Sequence, residues 1–125
     1  MTPDKALNAY FNTFAKKNGL KAYPSTSVPD DIIFPWMTYE FKEAEFNEDV
    51  NITVNLWYHT DSEAQPNATA RALKKYVQEN SLISCDNGAI WVKIGSPFVQ
   101  SLTDEVDRSV KRRYINLDLE FQIGE

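Results

Sequence analysis

Residues 50–59 read VNITVNLWYH, and their alternation decides the fold. Val50, Ile52, Val54, Leu56 and Tyr58 fall on one side, with Asn51, Thr53, Asn55, Trp57 and His59 on the other. A period of two predicts a strand with one face on an apolar core. Just upstream, Met37, Tyr39 and Phe41 alternate with Thr38, Glu40 and Lys42, and Asn47 to Asp49 mark a polar turn. The short link predicts an antiparallel hairpin of these two strands, since both sets of backbone groups need partners.

On the far side of residues 50–59, Asp61 or Ser62 can cap a helix, and Gln65 completes a capping box with Ser62. That helix is expected to run to about residue 78, with Ala70, Leu73 and Val77 as its apolar stripe. A second hairpin follows from Asp86-Asn87-Gly88 between Leu82–Cys85 and Ala89–Ile94. Gly95-Ser96-Pro97 and a charged stretch to about Ser109 read as a connection. The last strand carries Ile115, Leu117, Leu119, Phe121 and Ile123 in alternation.

At the start of the chain, Thr2, Pro3 and Asp4 read as an N-cap, a first-turn proline and an acid favoured by the helix dipole. Leu7, Tyr10, Phe11 and Phe14 give a helix over residues 3–18, stopped by Gly19. Pro24, Pro29 and Pro35 make residues 22–35 an extended loop. The expectation is therefore a single α+β domain over 1–125, a mainly antiparallel sheet of four to five strands with two helices packed on it, in the order α-β-β-α-β-β-β.

Composition narrows the function. A net charge of −5 lacks the dense basic footprint that phosphate binding needs, so neither specific nucleic-acid binding nor an anionic membrane surface is expected. No segment approaches the roughly 20 apolar residues that span a bilayer, and no secretory signal is read at residues 1–11, so a cytoplasmic protein is expected. With that context the sequon Asn67-Ala68-Thr69 carries no weight.

Catalytic signatures are sparse. Cys85 is the one cysteine and His59 the one histidine, so neither a thiolate metal cluster nor a two-imidazole zinc site can be assembled. His59 with Ser62 and Asp61 nearby is the remaining hydrolase arrangement, although a strand end and a helix cap explain the same residues. The four glycines form no phosphate-binding loop, so no cofactor is expected.

Two features suit contacts between subunits. Acids gather over residues 30–49, while Arg108, Lys111, Arg112 and Arg113 gather before the last strand. Opposite patches on one small protein suit head-to-tail association, although scattered charge on a monomer accounts for them equally. Trp57 lies on the strand face away from the apolar stripe, and with Trp36 it suits either an interface or a sheet packed on both sides.

Three stretches together, VPDDIIFPWMTYEF at 28–41, VNITVNLWYHT at 50–60 and GSPFVQSLTDEVDRSVKRRYINLDLEFQ at 95–122, resemble the tail-terminator, or tail-completion, proteins of long-tailed bacteriophages and prophages. The resemblance implies a non-enzymatic subunit that closes a ring, usually a hexamer, at the head-proximal end of the tail tube. Its implied partners are further copies of itself, the tail tube protein and the head connector protein, with DNA passing through the ring. Its implied location is the bacterial host cytoplasm during assembly and then the virion tail. Phe98, Gln100, Asp104, Asp107, Arg112, Arg113 and Tyr114 are the implied contacts, with Asp104 and Asp107 equally able to fold their own loop. Reversing Arg112 and Arg113 to glutamate is expected to weaken assembly and leave the fold intact. A stopper or minor capsid protein of the same joint is the nearest alternative.

Overall fold

The strand expected at 50–59 is β3 (Asp49–His59), and it stands inside the sheet of a computed structural model that describes residues 1–124. Around it the order is α1 (Pro3–Lys17), β1 (Lys21–Pro24), β2 (Trp36–Tyr39), β3, α2 (Ala64–Glu79), β4 (Leu82–Cys85), β5 (Gly88–Thr103) and β6 (Val110–Ile123). The class is α+β, as the periodicities require. The sheet has six strands in the order β1-β2-β3-β6-β5-β4.

The sheet is mixed, because β1 pairs parallel to β2 while every other pair is antiparallel. β1 replaces the first part of the loop expected at 22–35. It is four residues long and ends in Pro24, so it has no periodicity of its own and forms only because β2 offers it a ladder. β2 is also shorter than expected. It stops at Tyr39, leaving Phe41 exposed in the loop that leads to β3.

Both helices cover one face of the sheet, a two-layer arrangement that buries Leu7, Phe11 and Phe14 of α1 and Leu73 and Val77 of α2 against the strands. The core faces of β3 and β6 are Ile52, Val54, Leu56 and Tyr58, and Ile115, Leu117, Leu119 and Phe121, all buried. The helix ends differ from the motif reading. Neither Thr2 nor Glu63, the residues at the two N-cap positions, caps through its side chain, and it is the Ser62 hydroxyl that accepts from the N–H of Ala64, the first residue of α2, at 3.1 Å. The capping box with Gln65 is not made.

One polar pair lies within this core. The hydroxyls of Tyr58 and Thr69 meet at 2.5 Å and join β3 to α2, both residues being buried. Burial holds the Tyr58 phenol above its ordinary pKa, the Thr69 bond opposing that shift. Tyr58→Phe is expected to cost about 1 kcal/mol, read as a lowered urea midpoint with an unchanged slope.

The largest departure from the sequence pattern is the β5–β6 hairpin. β5 does not end at Ile94 but runs on to Thr103, through an irregularity between Ile94 and Val99, and β6 begins at Val110, ahead of the apolar alternation. Gly95 permits the close passage there. A Cβ at this position would lie 2.7 Å from the carbonyl oxygen of Asn116.

Candidate subunit interface

Because the helices take one face, the other face of the sheet is left to solvent or to a partner. The pairing register lays two rows across it. One holds Leu102, Arg112, Trp57, Trp36 and Lys21, and the next holds Gln100, Tyr114, Asn55, Thr38 and Tyr23.

At the centre the indoles of Trp36 and Trp57 stack, with centroids 5.0 Å apart and planes 6° from parallel. The Arg112 guanidinium lies 5.1 Å from the Trp57 ring and 5.9 Å from Tyr114, a cation held over aromatic faces. Trp36 is 8% exposed, flanked by Trp57 and by Tyr23 at 6.5 Å. Trp57, Arg112 and Tyr114 are half-buried, and Gln100 is exposed. Among the described residues, three buried side-chain atoms have no hydrogen-bond partner: Trp36 Nε1, Trp57 Nε1 and Asn55 Oδ1. All three belong to these two rows. Such atoms are uncommon in native structures, and their gathering on the face that no helix covers sets it apart from the core.

The remaining expected contact residues separate into those on this face and those elsewhere. Arg113 is a correction. Its side chain is 1% exposed and points to the helix layer, where Nε donates to Asn67 Oδ1 at 3.0 Å and Nη2 to Glu63 Oε1 at 2.7 Å. Alternation along β6 separates it from Arg112, so adjacent arginines serve opposite faces. Phe98 is also on the helix side, half-buried against the core with Lys74 Nζ 5.7 Å from its ring.

Asp104 and Asp107 fold the tip of the hairpin. Asp104 Oδ1 accepts from the N–H groups of Val106 and Asp107 at 2.8 and 3.0 Å, and Asp107 Oδ1 accepts from that of Ser109 at 2.9 Å. The Ser109 N–H, and then His59 at 3.1 Å, hold the Asp107 carboxyl below its ordinary pKa. Both acids belong to loop construction, the alternative that their spacing left open.

The charge segregation seen along the chain is diluted in space. Lys111 and Arg113 face Glu63, and Asp104, Glu105 and Asp107 stand on the tip beside Arg108. Asp49, at the other end of the sheet, pairs with Lys93 at 2.8 Å, and Lys93 reaches Glu120 at 3.2 Å. The aromatic and arginine rows, more than a field of one sign, distinguish the open face.

His59 pairs with Asp107, but the nearby hydroxyl of Ser109 donates to Asp61 at 2.7 Å and that of Ser62 accepts from the N–H of Ala64, so neither engages the imidazole. Among the described residues no group of three or more His, Cys, Asp or Glu side chains is placed to hold a metal ion, and no helix is long and apolar enough to cross a membrane. No protein-family model matches the chain, and no curated protein matches it significantly.

Five residues of the two rows, Lys21, Tyr23, Thr38, Asn55 and Leu102, are not among the contacts expected from sequence. Alternation puts Thr38 and Asn55 on the polar side of their strands, whereas nothing local places Tyr23 in a strand, and it enters the face through the β1–β2 pairing.

Proposed function

We propose that this chain is a structural, non-catalytic subunit of the tail-terminator kind, which closes a ring with further copies at the head-proximal end of a phage tail tube and joins tail to head. The observation that carries the reading of a binding subunit is the sheet face that no helix covers, with its Trp36–Trp57 stack, Arg112 and orphaned polar atoms, since aromatics and arginine are enriched where proteins meet. The phage assignment itself rests on the likeness of residues 28–41, 50–60 and 95–122 to that family.

On this reading the partners are the chain itself, the tail tube protein and the head connector protein, and the protein passes from the host cytoplasm into the virion tail. Light scattering over micromolar to submillimolar concentration is expected to show a concentration-dependent oligomer, and purified tail tubes are expected to retain the protein on sedimentation. A strict monomer that tail tubes ignore would sink the proposal.

A further inference from the structure

The two rows of the open face run from one edge of the sheet to the other, and both edges are unpaired at that height. On one side, β4 covers β5 only over Gly88–Trp91, so among the described residues the segment from Val99 to Thr103 has β6 on one side and no strand on the other. On the other side, β1 is bonded to β2 alone. Unpaired edges of this kind are templates for a further strand.

The backbone polarity of the two edges is matched. The Asp104 N–H bonds the Val110 carbonyl, so ladder alternation turns Gln100 and Leu102 toward β6 and turns the N–H and C=O of Val99, Ser101 and Thr103 outward. The Ser25 N–H bonds the Tyr39 carbonyl, so Lys21 and Tyr23 turn toward β2, while Ala22 and Pro24 turn outward. Pro24 has no N–H to leave unsatisfied there, which is where an edge tolerates proline. Along the register, Ser101 shares a row with Arg113, Leu56, Met37 and Ala22. The outward groups of the two edges therefore lie level with one another. Strand directions reverse between β5 and β1, as an antiparallel junction needs.

We infer that copies of this chain join by strand addition, the Val99–Thr103 edge of β5 in one copy pairing antiparallel with the Leu20–Pro24 edge of β1 in the next. Ser101 and Ala22 exchange both N–H···O bonds. The Val99 N–H donates to the Pro24 carbonyl, and the Thr103 N–H to that of Leu20, whose own N–H already serves Ala15. Side chains agree with this register. Exposed Val99 meets Pro24, and the small residues Ser101 and Ala22 meet on the helix side. An open groove of about 530 Å³ lies alongside β1, lined by Ala15, Lys16, Leu20, Ala22 and Tyr23, with room for the incoming strand. Because the two edges differ, the contact is heterologous and each copy offers one of each, the arrangement that closes rings.

This inference rests on the ring reading, and its test separates the two. Tyr23 and Gln100 come to face each other as a non-hydrogen-bonded pair on the open face, the closer of the two kinds of antiparallel pair. On a Cys85→Ala background, Tyr23→Cys protein is mixed with Gln100→Cys protein under a mild oxidant. The mixture is expected to give a covalent dimer at twice the subunit mass, which neither variant gives alone. The double variant is expected to give a ladder ending at the ring. Assembly by light scattering without that cross-link, or Gln100→Cys linking to itself through a two-fold contact, overturns the edge junction and leaves the ring standing. A protein that is monomeric at every concentration overturns both.

Discussion

Replacing Arg113 by glutamate is expected to unfold the domain or bring it close to unfolding, with a cost of about 3–5 kcal/mol against a total of roughly 5–15 kcal/mol for a domain of ordinary stability. The guanidinium is 1% exposed beneath α2 and satisfies Glu63 Oε1 and Asn67 Oδ1 together. A carboxylate there would be desolvated and would face Glu63, with Lys111 Nζ, 3.9 Å from Glu63 Oε2, left to serve both acids. Glu63 is 52% exposed and can turn to water, so Arg113→Met removes the charge at much lower cost, under about 2 kcal/mol. Urea denaturation of the two variants measures the difference. If Arg113→Glu keeps its urea midpoint and loses only assembly, then the residue acts at a surface and the buried ion pair does not hold α2 to β6.

Arg113 also marks the boundary between what is local to a strand and what depends on distant partners. Period-two alternation along residues 50–59 and 115–123 sufficed for β3 and most of β6, because each strand buries one face against helices and the pattern is local to the strand. The same rule places Arg113 in phase with Ile115 and Leu117, but a run of three basic residues reads as surface unless the partners are known. Those partners, Glu63 and Asn67, sit just before α2 and on its first turn, 50 and 46 residues away in the chain. Similarly β1 is invisible from its own four residues, since it exists through pairing with β2. The outer half of β5 has the pattern of a connection because its edge position leaves both faces partly wet, and Gly95-Ser96-Pro97 at the irregularity resembles a strand end. On the site, alternation alone places Trp57 on the face away from the apolar stripe. Its stacking on Trp36 needed the antiparallel register.

Trp36 and Trp57 touch each other, yet their truncations are expected to read out differently. Trp36→Ala removes a ring that is 8% exposed and leaves a hollow between Tyr23 and Trp57, at a cost of about 3 kcal/mol. That is the low end for a buried aromatic, because the site opens toward the solvent side of the sheet and its indole N–H had no partner to lose. Trp57 is only half-buried, and Trp57→Ala is expected to cost the isolated domain about half as much. Its larger effect falls on binding. With the copies joined at their edges, the Trp57–Arg112 rows stay uncovered and are the surface left for a different protein, for which the tail tube is the partner proposed. An aromatic anchor at such a surface contributes about 2 kcal/mol or more, roughly a 30-fold loss of affinity when truncated. Co-sedimentation with tail tubes under conditions where both variants remain folded measures that loss, and urea denaturation measures the other. If Trp57→Ala binds tubes as the parent does while both variants lose equal stability, the stack is internal packing of a sheet closed on both faces, and the anchor must be sought elsewhere on the domain.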